Sequence, residues 1–185
     1  MATLNACTTA LLSEVNHVEM DGLEPRWYVA YTRPRHEKRI AEQLTERSLE
    51  QFLPLYETVH RWKDRKVKLQ LPLFPGYIFV RIPLLERLKV LQVPGVVRLV
   101  GFGESPTALP EDEMEALRRG LKTGVQAQPH PYLTVGRGVR IVQGPFAGFK
   151  GILSRRKGPC RVVISLLLIK SSIALEVDAW DIGPS

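Results

Sequence analysis

Apolar and polar positions along the chain form two kinds of pattern. Short runs of apolar residues predict strands, and apolar residues at helical spacing predict helices. Residues 27–31 (Trp-Tyr-Val-Ala-Tyr) and 77–81 (Tyr-Ile-Phe-Val-Arg) are rich in aromatic and β-branched side chains. Such a composition is typical of strands with both faces covered. Between residues 34 and 48, apolar residues recur at helical spacing and charged residues fill the other positions. This pattern predicts a helix with one apolar stripe that packs on a sheet.

The same patterns continue to about residue 121. Strands are expected at 52–58 and 96–100, the central strand region at 69–82, and helices over 84–91 and 110–121. Carboxylates cluster at the start of the last helix, where the helix dipole favours them, so they need no catalytic explanation. The order strand, helix, strand, strand, helix, strand, helix predicts an α/β sandwich, a mostly antiparallel sheet with helices packed on it.

The pattern changes in the last third of the chain. Residues 122–134 have the Gly, Gln and Pro content of a linker, and short strands with glycine turns follow without any helix signal. These strands are expected at 139–142, 152–153, 161–169 and 173–177. The predicted fold class is therefore α+β, composed of a flexible acidic extension (1–25), an amino-terminal sandwich domain (26–121), a linker (122–134) and a small all-β barrel (135–185).

Charge is distributed unevenly along the sequence. The net charge is +7, but residues 1–25 contain four acidic residues and no Lys or Arg, so the rest of the chain has 26 basic residues against 15 acidic ones, or +11. A body this basic favours a polyanion such as nucleic acid, or an anionic membrane surface. The alternative is that the charge serves solubility alone.

Several kinds of chemistry find no support in the residues. The two cysteines are far apart, the four histidines are scattered, and neither set has metal-ligand spacing. The glycine-rich stretch 144–151 lacks the spacing of a phosphate loop. The amino-terminal segment lacks the positive n-region of a secretory signal, so none is expected, and no apolar run approaches the ~18 residues of a membrane span. We therefore expect a cytoplasmic protein that is not an enzyme and binds no cofactor or metal.

A turn with an aromatic residue precedes the central strand. In Phe74-Pro75-Gly76, a large ring is followed by a residue of fixed φ and by one without a Cβ, so the strand's own sheet need not bury the ring. The ring is either a plug in the domain's own core or a contact for a partner. A basic arm, residues 61–68, leads directly into this region.

Three stretches together carry a family resemblance. Residues 27–29 (Trp-Tyr-Val), 74–77 (Phe-Pro-Gly-Tyr) and 144–151 (Gly-Pro-Phe-Ala-Gly-Phe-Lys-Gly) resemble the NusG family of transcription elongation factors, with a KOW (SH3-like) barrel as the second domain. The resemblance covers residues 26 to about 182. The region 100–110 looks more like the specialised RfaH-like paralogues, and the acidic extension departs from the family pattern.

The resemblance implies that the amino-terminal domain binds the clamp helices of RNA polymerase through an apolar depression. The matching positions are Tyr31, Phe74, Tyr77 and Phe79. The alternative is that all four rings belong to the domain's own core.

Nucleic acid is the second implied partner. Specialised relatives contact the non-template DNA strand at the strand-to-helix junction, where this chain has Arg33, Arg35, His36 and Arg39. The basic arm is expected to contact the phosphates of upstream duplex DNA through Arg61, Lys63, Arg65, Lys66 and Lys68. A merely solvated charged face is the alternative for both groups.

For the barrel, the resemblance implies binding to a ribosomal protein or to the termination factor Rho. The candidates are Leu167, Leu168 and Ile169, since three successive apolar residues cannot all point inward from an alternating strand. In some relatives this domain refolds into helices. The sequence thus favours an elongation or antitermination factor, and the alternative is a ribosome-associated RNA-binding KOW protein. Target operons, the direction of the effect on termination and the oligomeric state are left open.

Overall fold

The computed structural model describes residues 23–61, 66–102, 105–123, 127–130, 137–155, 160–177 and 181–184. The expectation of a flexible acidic extension lies almost entirely outside these residues. Within them the fold is α+β, with helices packed on an antiparallel sheet and a β-rich carboxy-terminal part, as the sequence predicts.

The amino-terminal part has eight strands and three α-helices among the described residues. The strands are β1 (Arg26–Thr32), β2 (Glu50–Phe52), β3 (Leu55–Arg61), β4 (Lys66–Pro72), β5 (Tyr77–Ile82), β6 (Val96–Leu99), β7 (Gly101–Phe102) and β8 (Ser105–Pro106). The helices are α1 (Glu37–Glu46), α2 (Arg87–Leu91) and α3 (Glu111–Lys122). A 3-10 turn, Leu84–Glu86, precedes α2.

The central sheet has the strand order β2-β5-β1-β6, with β1 antiparallel to both β5 and β6. Alternation along β1 directs Tyr28 and Ala30 to one face and Trp27 and Val29 to the other, and both faces are buried. The first face packs with α1 and α2, and the second with α3. The sandwich predicted from the pattern is therefore present, with a core on each side of the sheet.

An arginine on α3 holds this helix against the sheet. The Arg118 guanidinium lies 5.2 Å from the ring centroid of Trp27 and 5.8 Å from that of Phe52, and it donates a hydrogen bond to Glu50 Oε1 at 3.1 Å. Cation–π contacts of this kind contribute about 0.5–2 kcal/mol each, depending on desolvation. One side chain thus links α3 to strands β1 and β2.

Two expected strands are each divided. The strand expected at 52–58 separates into β2 and β3 around Pro54, which has no N–H to donate to a sheet ladder. The region 69–82 separates into β4 and β5 around the turn that contains Pro75 and Gly76. Among the described residues, strands β3 and β4 pair with each other and with no other strand, and the last pair of this hairpin is Arg61 with Lys66. This hairpin is the basic arm, and residues 62–65, which separate its two strands in the sequence, lie outside the described residues.

The carboxy-terminal part is one antiparallel sheet. Its strands are β9 (Ala127–His130), β10 (Arg137–Ile141), β11 (Lys150–Arg155), β12 (Cys160–Leu166), β13 (Ser171–Val177) and β14 (Ile182–Pro184). The pairing order of the described strands is β14-β10-β11-β12-β13-β9. Phe146 and Phe149 are both buried, and their ring centroids are 6.3 Å apart.

Two expectations about this part are corrected. Residues 127–130, assigned to the linker, form β9 and pair with β13. Pro129 is tolerated there because β9 is an edge strand among the described strands. The outer side of an edge strand has no neighbouring strand that requires an N–H donor. The strand expected at 161–169 ends at Leu166, and Leu167–Ile169 form a 3-10 turn. Lys170, with φ +46°, then reverses the chain into β13.

The two parts of the chain contact each other. Buried residues of the amino-terminal sheet and α3 form one continuous apolar cluster with those of the carboxy-terminal sheet. Gly120 of α3 lies directly under Phe146, because a Cβ on Gly120 would be 2.2 Å from Cζ of that ring. Only glycine permits this approach of ring to helix. The face of α3 that carries Gly120 is therefore part of an interface between the two parts.

Candidate functional site

The turn that connects β4 to β5 is held by backbone hydrogen bonds on both sides. The Leu73 N–H donates to the Pro54 carbonyl at 2.8 Å, and the Tyr77 N–H donates to the Phe74 carbonyl at 3.1 Å. Gly76 has φ +82°, and its carbonyl accepts from the Thr32 N–H at 2.8 Å. The left-handed φ explains the glycine, since a side chain would be strained there. The turn is thereby fixed to the end of β1.

The four aromatic residues proposed for polymerase binding form two pairs with different exposure. Phe74 and Phe79 are 1% and 0% exposed and meet edge to face, with ring centroids 5.7 Å apart. Tyr31 and Tyr77 are only partly buried, and their ring centroids are 5.4 Å apart. Phe74 is therefore a plug in the core, and the aromatic surface that remains accessible here is the tyrosine pair.

Arg98 extends this surface, although it was not among the residues predicted from the sequence. It is exposed on β6 opposite Tyr31, and its guanidinium carbon is 5.9 Å from the centroid of the Tyr31 ring. The signal was available, since residues 96–100 are apolar apart from this one charge. A cation over a partly exposed tyrosine forms a mixed aromatic and basic surface.

The basic residues at the junction of β1 and α1 are exposed, as a nucleic-acid contact requires. They are Arg33, Arg35, His36 and Arg39. The Arg33 N–H donates to the Gly95 carbonyl at 2.9 Å. Arg35 has φ +66°, an uncommon value for a residue with a Cβ, so the loop turns sharply just before the helix. The junction directly follows Tyr31, and the basic and aromatic surfaces are therefore adjacent.

Glu37 is a second residue that was not predicted from the sequence. Its side chain is 3% exposed, and its Oε1 accepts a hydrogen bond from the Gly76 N–H at 2.8 Å. The signal lies in the helical spacing, because Glu37 precedes Ile40 and Ala41 by three and four residues and so falls on the buried stripe of α1. A buried carboxylate thus connects the start of α1 to the aromatic turn.

In the basic arm, formed by β3 and β4, one of the two described lysines is already paired with an acidic side chain. Lys66 and Lys68 are exposed, but Lys68 Nζ lies 2.9 Å from Glu57 Oε1 on the neighbouring strand. Exposed ion pairs of this kind contribute about 0–1 kcal/mol, so a phosphate could compete for the lysine. The side chain of Arg61, and Lys63 and Arg65 as a whole, lie outside the described residues.

The three carboxy-terminal candidates differ in accessibility. Ile169 is 4% exposed, Leu168 is partly buried against the apolar cluster, and the side chain of Leu167 lies outside the described part of the chain. Because the three residues form a turn rather than a strand, the alternation argument does not apply to them. Of the two described side chains, only Leu168 has an accessible portion of any size.

A cleft lies between α3 and the carboxy-terminal sheet. Its charged lining residues are Asp112, Glu113, Arg119, Arg140 and Lys150. Desolvation on the cleft side, with a smaller contribution from the Asp112 carboxylate, raises the pKa of Glu113 above its ordinary value.

Metal-binding clusters and membrane-spanning helices are both absent from the described residues. These residues contain no group of three or more His, Cys, Asp or Glu side chains arranged to hold a metal ion. In the same part of the chain, no helix is long and apolar enough to cross a membrane.

Comparison with known proteins identifies the class to which this fold and surface belong. Residues 25–118, slightly more than half of the chain, match the family model described as "Transcription termination factor nusG". The chain therefore belongs to the NusG family.

Among its relatives, the Pseudomonas aeruginosa protein named "Transcription termination/antitermination protein NusG" is 29% identical over 168 residues, which is 83% of this chain and 94% of the relative. The Deinococcus radiodurans protein of the same name is 29% identical over 182 residues, which is 81% of this chain and 95% of the relative. The solved structure described as "Domain interaction in Thermotoga maritima NusG" covers 87% of this chain and 97% of its own, with a TM-score of 0.58 and 20% identity. At that identity the structural likeness demonstrates the fold alone.

Proposed function

We propose that this protein is a non-enzymatic transcription elongation and antitermination factor, which binds the clamp helices of RNA polymerase through its amino-terminal domain, residues 26–121. The observation that carries the proposal is the partly accessible Tyr31–Tyr77 pair, which lies next to the hydrogen-bonded turn 73–76 and beside exposed arginines. Phe74 and Phe79 support this surface from the core below it.

The geometry of the tyrosine pair suits a protein contact. Rigid aromatic side chains bind at low entropic cost, and they are enriched among the residues that dominate interface energies. Complete burial of an aromatic side chain contributes about 1.5–3 kcal/mol, so a partly buried tyrosine, at most about a third exposed, has about 0.5–1 kcal/mol left to gain on binding. Two such rings account for about a 5- to 25-fold effect on affinity, and Arg98 adds to it.

The exposed residues Arg33, Arg35, His36 and Arg39 are proposed to contact the non-template strand, since guanidinium groups bind phosphate and stack on unpaired bases. Lys66 and Lys68 of the hairpin are proposed to contact phosphates of upstream duplex DNA, together with Arg61, Lys63 and Arg65.

The carboxy-terminal part, residues 135–185, is proposed to bind a ribosomal protein or Rho through the turn 167–169. The partly accessible Leu168 supports this assignment best. By binding the polymerase, the factor would favour the state of the clamp that it recognises, through mass action and without any covalent step. Its place of action is proposed to be the cytoplasm.

The test is binding of the full chain to core RNA polymerase at two salt concentrations, with Tyr77→Ala and a control, Leu88→Ala. Leu88 is 60% exposed on α2, which packs on the opposite face of the sheet. Tyr77→Ala should weaken binding about two- to fivefold at both salt concentrations, and Leu88→Ala should not. If both variants bind like the wild type and salt abolishes all binding, the contact is only that of a basic surface with a polyanion. The ribosome-associated RNA-binding alternative would then take first place.

A further inference from the structure

Glu37 is an unusual residue for its position. It is an ionisable side chain that is only 3% exposed, on a helix stripe otherwise made of Ile40, Ala41 and Leu44. Burial of a carboxylate is unfavourable unless hydrogen bonds or charges compensate it. Two features compensate it here, namely the Gly76 N–H and the positive end of the α1 dipole, because Glu37 lies in the first turn of α1.

The group that Glu37 accepts from is the centre of the aromatic turn. The Gly76 N–H donates to the Glu37 carboxylate, and the Gly76 carbonyl accepts from Thr32, both at 2.8 Å. Gly76 is therefore fixed on one side by α1 and on the other by β1. The next residue along the chain is Tyr77. The glycine that is hydrogen-bonded to Glu37 therefore directly precedes one of the two tyrosines of the pair.

The same glycine also contacts the second tyrosine of the pair. A Cβ on Gly76 would lie 3.5 Å from Cε2 of Tyr31, which places the Tyr31 ring directly over the glycine backbone. A displacement of Gly76 would therefore move Tyr77 and remove the support of Tyr31 together. In the other direction along the chain, Glu37 directly follows His36 and the exposed arginine at position 35.

From these contacts we infer that Glu37 is a positioning residue for polymerase binding, one that joins the start of α1 to the turn 73–76 and holds the Tyr31–Tyr77 pair in its binding geometry. The inference rests on the proposed function. This role differs from a general contribution to stability, because the effect on polymerase binding is assigned to one hydrogen bond, from the Gly76 N–H to the Glu37 Oε1. A neutral side-chain oxygen at the same position should therefore serve equally well.

The test compares two variants of matched size, Glu37→Gln and Glu37→Met, in the full chain. Gln keeps an oxygen that can accept from the Gly76 N–H, whereas Met fills the same space with no comparable acceptor. Glu42→Gln, on the polar side of α1, is the control. The two readouts are hydrogen exchange of the Gly76 amide, measured by NMR, and affinity for core RNA polymerase.

We expect Glu37→Met to raise the exchange rate of the Gly76 amide at least tenfold and to weaken polymerase binding about fivefold or more. Glu37→Gln and Glu42→Gln should stay within about threefold of the wild type in both readouts. The inference is overturned if Glu37→Met changes neither readout. It is also overturned if Glu37→Gln has the same effect as Glu37→Met, and this includes the case in which neither variant folds. Failure of the wild type to bind polymerase would instead overturn the proposed function, and the exchange rate would still test whether Glu37 holds the turn.

Discussion

Substitution of Gly120 by alanine should destabilise the protein when residue 146 is phenylalanine, and it should not do so when residue 146 is replaced by leucine. On an exposed helix surface this change stabilises, because alanine is favoured over glycine in a helix by about 0.5–1 kcal/mol. In this chain Gly120 faces Phe146, and the new Cβ would lie 2.2, 2.3 and 2.5 Å from three carbons of the ring. The ring is 1% exposed and must move by roughly 1 Å or more to restore van der Waals separation.

The cost of that movement decides the sign of the effect. Extra methyl groups forced into a packed core cost about 1–3 kcal/mol. Three approaches of 2.5 Å or less place the cost in the upper part of this range, about 2–3 kcal/mol. After the helix gain of about 0.5–1 kcal/mol is subtracted, Gly120→Ala should destabilise the full chain by about 1–2.5 kcal/mol. In a Phe146→Leu background, where the outer ring carbons are absent, the same substitution should be neutral or stabilising.

The assay is a double-mutant cycle on the full chain, followed by calorimetry of all four proteins. For a chain of this size 1 kcal/mol corresponds to about 2–4 °C in the midpoint, which is readily measured. If Gly120→Ala raises the midpoint equally with Phe or Leu at position 146, then the ring does not lie on Gly120. The packing of the two parts of the chain against each other would be refuted with it.

Three further predictions concern other residues. Arg33→Ala combined with Arg35→Ala should weaken binding of a single-stranded oligonucleotide and lower its salt slope by about 0.7 for each phosphate that is no longer neutralised, and an unchanged slope would contradict the assigned role. Phe74→Ala should cost about 3–5 kcal/mol in denaturant unfolding because the ring is fully buried, whereas a loss under 1 kcal/mol would place the ring outside the core. Because the folded state raises the pKa of Glu113 and so disfavours its ionised form, Glu113→Gln should stabilise the protein at pH 7. That advantage should vanish as the pH falls below the ordinary glutamate pKa, where the carboxyl is protonated in both states, and a difference in midpoint that is independent of pH would refute it.

The elements of the amino-terminal part were largely predictable because their signals are local. The stripe of Ile40, Ala41 and Leu44 defines α1, and the composition of 27–31 defines β1 with its two buried faces. The strand boundaries differ from those predicted where a proline, which has no N–H to donate, interrupts an apolar run. Pro54, between β2 and β3, is an example. Strand β9 escaped prediction, because a segment with few apolar residues becomes a strand only when β13 offers it a partner.

The site was predictable in its residue types but not in its exposure. The arginines at positions 33 and 35 were expected on the surface and are there, since charged side chains are rarely buried. The position of Phe74 in a turn did not reveal whether its ring points outward. That depends on the room left for it beside Phe79 and Trp27, which come from the strands β5 and β1 of the same core. Glu37 was overlooked because its partner, the Gly76 N–H, is 39 residues away.

By itself, the sequence determined the fold class, the family and the basic character of the body, because periodicity, motif spacing and charge are properties of neighbouring residues. Only the tertiary structure decided which rings are accessible, which carboxylate holds the aromatic turn, and that Phe146 packs on Gly120. These depend on distances between residues far apart in the chain, and such distances are fixed only when the elements pack together.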